Sequence, residues 1–259
     1  ASALEKHGVK PGDTVSIMAA NTPELFEAHY SVPMTGAVLN AINTRLDSKT
    51  VAYIFKHADT KVLIVDRQFH PVVKKALEDL GKKISVIDII DKQTDLKDSQ
   101  KIGDFEYESF LNGGDDNYIW KRPKDEWQAI SLNYTSGTTG NPKGVVYHHR
   151  GGYLMATGSV TAWNMPNRLN FLYTVPMFHC NGWCYPWTLA MLHARVICIR
   201  NIRAKEIFEL ITEHKVTHFG GAPIILNMLA NAPKEEQKKL NHKVYVLTAA
   251  APPPSIIFK

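Results

Sequence analysis

Between Arg195 and Leu229 the chain reads RVICIRNIRAKEIFELITEHKVTHFGGAPIILNML. RVICI is a short apolar, β-branched run of the kind that fills a buried strand. AKEIFELITEH follows, and its Ile207, Phe208, Leu210 and Ile211 fall on one face at the 3.6-residue period. VTHF is a second strand, and PIILNML a second helix opening on proline, which the first turn tolerates. Strand, helix, strand and helix in this order imply a βαβ crossover. The expected fold class is therefore α/β, with mostly parallel sheets buried on both faces.

The same alternation extends in both directions. Downstream, VYVLT reads as a strand. Upstream lie strand NFLYTV, helix CYPWTLAML, a helix over 151–163, a short strand over 144–147 and strand AISLNY at Ala129–Tyr134. Further back, ISVIDI and KVLIVD are strands separated by a helix over Pro71–Leu80. Ser48 caps a helix reaching His57, and GAVLNAIN is a strand and loop. TVSIMAA is a strand behind the Pro11-Gly12-Asp13 turn, and Thr22-Pro23-Glu24 opens a helix towards Pro33. SALEKHG at the start is helix-like. The polar stretch Asp91–Asp116 reads as an exposed loop holding one short helix.

With 259 residues, one large domain or two linked subdomains is the expectation. Hydrophobic residues at 44% and charged residues at 21% exclude disorder, collagen and a coiled-coil rod. Lys plus Arg number 30 and Asp plus Glu 25, a formal charge of +5. That suits an anionic ligand, but no basic stripe argues for nucleic acid. Three cysteines, Cys180, Cys184 and Cys198, point to reduced thiols and a cytoplasmic setting. No apolar run approaches the ~20 residues of a transmembrane segment.

The chemistry concentrates in Tyr134–Val145, YTSGTTGNPKGV. A buried strand ends there, and Thr135, Ser136, Thr138 and Thr139 follow with Gly137, Gly140, Gly144 and Lys143. Glycines let backbone N–H groups approach an anion, hydroxyls donate to phosphate oxygens, and lysine brings a mobile positive charge. The plain alternative is a flexible surface loop. The Walker A pattern fails, because Pro142 stands where its second glycine belongs and Gly144 follows Lys143. No Gly-x-Gly-x-x-Gly follows a strand and no Gly-x-Ser-x-Gly elbow is present. Cys180 and Cys184 beside His179 lack a second pair to complete a metal site and read as packed thiols. His214 and His218 fall on a helix end and a strand, so they share no face. His148, His149 and Arg150 are either a phosphate-side basic cluster or a solvated turn.

YTSGTTGNPKGV resembles the phosphate-binding signature of the adenylate-forming (AMP-binding) enzymes, which include acyl-CoA synthetases, luciferases and peptide-synthetase adenylation domains. Further segments sit in that family's order: HHRG at His148–Gly151, VPMFHCNGW at Val175–Trp183, THFGGAP at Thr217–Pro223 and TAAAPPP at Thr248–Pro254. The opening GVKPGDTVSIMAANTPE is also similar. FHCNGWC with the downstream GGAP most resembles the fatty acyl-CoA synthetase branch.

The resemblance implies an ATP-dependent acid–thiol ligase. A fatty acid or other carboxylic acid forms an acyl-adenylate, and coenzyme A then displaces AMP to give a thioester. It implies ATP, magnesium and coenzyme A as cofactor and cosubstrates. Thr135, Ser136, Gly137, Thr138, Thr139, Gly140 and Lys143 would hold the phosphates, with Thr138 also meeting magnesium. Ala249, Ala250, Ala251 and Pro252 would flank adenine. His179 would lie near the acyl carboxylate, so Lys143, His179 and Thr138 are the catalytic candidates. Trp183, Gly220, Gly221 and Ala222 would line the acyl pocket; each also reads as ordinary packing or a tight turn. The chain length of the acid, expected to be medium or long, is not set by these residues, and a homodimer is one compatible assembly.

By the same resemblance, residues 45–165 form one subdomain, and 1–44 with 166–259 the other. The family's Tyr-Gly-x-Thr-Glu segment, its ribose-binding Asp and its C-terminal domain would lie beyond Lys259. The expectation is a fragment, inactive alone. Two other readings compete: a nucleotide-binding remnant, and an adenylate-forming enzyme that makes no CoA thioester. His179–Trp183 and Gly220–Pro223 offer no carboxylate to pair a substrate ammonium, which favours an unfunctionalised acyl chain.

Overall fold

The structure is a computed structural model that describes residues 1–92, 94, 101–135 and 140–249. It divides into two compact units, Ala1–Tyr153 with Met177–Asn181, and Leu154–Pro176 with the described residues from Gly182 onward.

The first unit holds α1 (Ser2–Lys6), β1 (Thr14–Met18), α2 (Pro23–Ser31), β2 (Val38–Ala41), α3 (Ser48–His57), β3 (Thr60–Asp66), α4 (His70–Leu80), β4 (Ser85–Ile89), β5 (Phe105–Glu106), α5 (Tyr107–Leu111), β6 (Ala129–Tyr134) and β7 (Gly144–His148). Its seven strands run in the order β5-β4-β3-β1-β2-β6-β7. Every neighbouring pair is parallel except β6 and β7, which are antiparallel. All five residues of β1 are buried, the signature of a central strand covered on both faces. Val51, Ile54 and Phe55 of α3 and Val73 and Ala76 of α4 pack on Leu63, Val65 and Val86 of the sheet. Burying a side chain of that size contributes about 1.5–3 kcal/mol. The cap of α3 is Asp47, one residue earlier than the expected Ser48. Its Oδ1 accepts from the backbone N–H groups of Lys49 at 2.9 Å and Thr50 at 3.0 Å.

The helix α6 (His149–Ala162) begins in the first unit and ends in the second. The second unit contains β8 (Asn170–Tyr173), α8 (Tyr185–Met191), β9 (Arg195–Cys198), α9 (Ala204–His214), β10 (His218–Gly220), α10 (Pro223–Ala230) and β11 (Tyr245–Leu247); α7 (Cys180–Trp183) lies between the two units in sequence. The four strands run β11-β10-β8-β9, all parallel. Ile207 and Ile211 of α9 are buried against Leu172, Ile197 and Phe219, with Leu210 partly buried beside them, so three of the four residues of the helical face read from sequence pack. His214 closes α9 and His218 opens β10, as the sequence indicates. Among the described residues, no helix is long and apolar enough to cross a membrane.

The expected subdomain grouping is corrected. Residues 1–44 group with 45–153 rather than with the second unit, because β1 and β2 lie inside the seven-stranded sheet, with β1 bonded to β3 and β2 to β6. Removing them would strip backbone partners from buried strands on both sides.

Candidate functional site

The phosphate-loop candidate connects β6 to β7. Tyr134 pairs with Gly144 across the antiparallel ladder. One step further out, Thr135 N donates to Lys143 O at 3.0 Å, and Lys143 N donates to Thr135 Oγ1 at 3.1 Å. These two bonds pinch the loop shut at its base. Thr135, Gly140, Asn141 and Lys143 are exposed while Pro142 is buried, so the lysine faces solvent. Ser136, Gly137, Thr138 and Thr139 lie outside the described residues, as do Ala250, Ala251 and Pro252; Ala249 is half-buried. Tyr134 shares a 2.7 Å hydrogen bond with His57 Nδ1, and burial pushes its phenol up to about 12. His57 in turn stacks on Tyr53, with ring centroids 5.4 Å apart.

The His148–Arg150 cluster sits at the far end of β7 from that loop. His148 packs on Trp127 with ring centroids 4.5 Å apart, and Arg150 pairs with Glu126. Burial lowers the His149 imidazole below its ordinary value. A cavity of about 670 Å³, lined in part by Pro11, Gly36, Val38, Lys121, Arg122 and Ala129, opens at the starts of β2 and β6, again away from the loop. Among the described residues, no three His, Cys, Asp or Glu side chains converge as a metal site.

His179 is exposed in the first unit, with its Nε2 3.7 Å from Cys180 Sγ. The backbone leading to it is fixed, since Met177 N donates to the buried Asn21 Oδ1 at 2.9 Å. Met177 also bonds His29, a wholly buried histidine of α2 whose imidazole burial depresses to about 4. Immediately after His179 the chain turns left-handed, with φ of +49° at Cys180 and +50° at Asn181. Asn181 is 0% exposed. Its Oδ1 accepts from Ser131 Oγ at 2.8 Å and from Asn133 Nδ2 at 2.7 Å, both on β6. Sequence reading quoted Asn181 within its motif without a role; the signal available was the Asn-Gly pair, which favours positive φ.

In the second unit the left-handed run continues through Gly182, Trp183 and Cys184 at +55°, +60° and +60°. Tyr173 Oη donates to Gly182 O at 2.8 Å. Trp183 is half-buried against Tyr185, ring centroids 5.9 Å apart. Gly220 is buried in the same cluster. A Cβ placed on it would stand 3.0 Å from Val175 Cγ2, 3.1 Å from Tyr185 Cε2 and 3.6 Å from Trp183 Cζ3. Gly221 N donates to Leu247 O at 2.8 Å, and Ala222 is the N-cap of α10. Trp183 and Gly220, expected together at an acyl pocket, are thus neighbours.

The family model for AMP-binding enzymes matches residues 1–258. This chain belongs to the AMP-binding enzyme family. Acetate/butyrate–CoA ligase AAE7, peroxisomal, from Arabidopsis thaliana is 47% identical over 270 aligned residues, covering 100% of this chain and 48% of the relative. Acetate–CoA ligase CCL3 from Humulus lupulus is 45% identical, again over 100% of this chain and 48% of the relative. The chain spans about half the length of these relatives. Among solved structures, the inhibitor-bound N-terminal domain of FACL13 from Mycobacterium tuberculosis has 25% identity and a TM-score of 0.83, covering 99% of this chain and 61% of that one.

Proposed function

We propose that this AMP-binding chain carries the nucleotide and acyl contacts of an ATP-dependent acid–CoA ligase. In the first step a carboxylate oxygen attacks the α-phosphorus of ATP, and the bond to the bridging oxygen breaks to release pyrophosphate. In the second step the coenzyme A thiolate attacks the acyl carbon, and AMP leaves. The physical obstacle is the approach of an anion to a polyanion. The observation that carries this reading is the clamped Thr135–Lys143 loop, which turns a lysine to solvent where a β-strand ends. Lys143 and the loop N–H groups offset charge on the departing pyrophosphate. Magnesium would supply further neutralisation through Thr138, which lies outside the described residues. His179, exposed just ahead of the turn that Asn181 anchors to β6, orients the carboxylate.

The acid is short. The two plant relatives are named for acetate and butyrate, which supports this reading. We read the placement as cytoplasmic, although one relative carries a peroxisomal name; imaging the tagged full-length protein distinguishes the two.

The test is ATP–pyrophosphate exchange by the full-length protein with acids from acetate to palmitate. Acetate to butyrate should support exchange best, and K143A should lower kcat/KM for ATP by roughly 100-fold. Palmitate as the preferred acid would overturn the short-acid reading. Unchanged ATP kinetics in K143A would overturn the phosphate assignment.

A further inference from the structure

Five consecutive residues, Cys180 to Cys184, hold φ between +49° and +60°, and only Gly182 among them is glycine. For an L-residue this conformation costs roughly 1–2 kcal/mol. Such a run persists only where surrounding contacts over-determine it, and strained backbone of this sort concentrates at functional sites. Its first two residues belong to the first unit, and there the contact that fixes them is polar and buried. Asn181 is 0% exposed, Ser131 0% and Asn133 7%. Both β6 side chains converge on the single Oδ1 of Asn181, at 2.8 and 2.7 Å.

The placement on β6 is informative. Ser131 and Asn133 lie on one side of the strand by its two-residue alternation. Two residues further on is Thr135, whose Oγ1 closes the phosphate loop on Lys143 N. One strand therefore anchors, in succession, the turn that follows His179 and the loop that carries Lys143. A buried apolar residue would pack this position without placing three polar groups in a dry interior, where each depends on its partners. What the polar anchor adds is a fixed position and direction for the backbone next to His179.

We propose that Asn181 is a positioning residue for His179, holding the left-handed turn in register with β6 and so with the phosphate loop. Asn181 makes no contact with substrate in this scheme and acts through the imidazole two residues before it. The inference rests on the reading of His179 as the group that orients the carboxylate.

The experiment measures adenylation by ATP–pyrophosphate exchange in full-length N181G, H179A and the double variant. Glycine keeps the positive φ accessible and removes only the anchor. N181G should lower kcat by roughly 100-fold, the size expected when a reacting group is displaced by about 1 Å, and leave KM for ATP within about twofold. The double variant should be no slower than H179A, because both changes remove the same contribution. S131A, which deletes one of the two donors and leaves the fold least disturbed, should show a smaller loss in kcat alone. If H179A is slow while N181G or S131A keeps wild-type kcat, the inference fails. It fails equally if the N181G and H179A losses multiply, or if N181G loses ATP affinity in proportion to rate. If H179A itself exchanges at the wild-type rate, the functional reading of His179 is what falls, and the inference with it.

Discussion

At the scale of single residues, Gly182 shows how little freedom the left-handed turn has. Its φ is +55°, and a Cβ there would stand 2.1 Å from Tyr173 Oη. Tyr173 is fully buried and its hydroxyl already donates to Gly182 O, so the ring cannot retreat cheaply. G182A should therefore destabilise the protein by about 2–4 kcal/mol, through overpacking and positive φ together. Chemical denaturation of the full-length protein checks this, and a shift in midpoint no larger than that of a surface Ala substitution would contradict it. Lys143 lies at the opposite extreme. It is exposed, its backbone N–H rather than its side chain closes the loop, and its removal should cost function far more than stability.

At the scale of elements, α2 contributes a titrating group to the core. His29 is wholly buried, and its imidazole is held at about 4 against an ordinary 6.5 by loss of hydration, with backbone bonds to Leu25 and Met177 offsetting part of that loss. A lowered folded-state value means the folded protein prefers the neutral ring. Stability is full above about 6.5 and is lost as pH falls from there towards 4, on the order of 3 kcal/mol in total. H29Q should show a shallower fall in unfolding free energy over that window, and an unchanged slope would remove His29 as the cause. Elements of this kind were largely legible in the sequence. KVLIVD, ISVIDI and TVSIM read as strands because a parallel strand buried on both faces is a continuous apolar run. AKEIFELITEH read as a helix because its stripe packs. The two-residue β5 was too short to give a period. The left-handed α7 was missed because periodicity reports side-chain burial, not the sign of φ. The loop motif was visible, but its clamp was not, since Thr135 and Lys143 meet only when β6 and β7 pair antiparallel.

At the scale of the whole molecule, membership of a sheet is a tertiary property, and for that reason the subdomain boundary was misplaced. Nothing local to residues 14–18 or 38–41 says that they pair with β3 and β6; only the strand order does. The same scale governs what the chain does by itself. The first unit supplies a clamped loop with Lys143 and a turn with His179; the second supplies Trp183 and Gly220. Adenylation requires charge neutralisation at the phosphates and alignment of two anions at once, and losing either costs orders of magnitude in rate. The chain spans 48% of the acetate/butyrate ligase it resembles, so more than half of that relative's length has no counterpart in these residues. The 259-residue chain assayed alone should give no pyrophosphate exchange above background with acetate or butyrate, while the full-length protein exchanges readily. Exchange by the isolated chain within about tenfold of the full-length rate would contradict this and mean that these 259 residues suffice for adenylation.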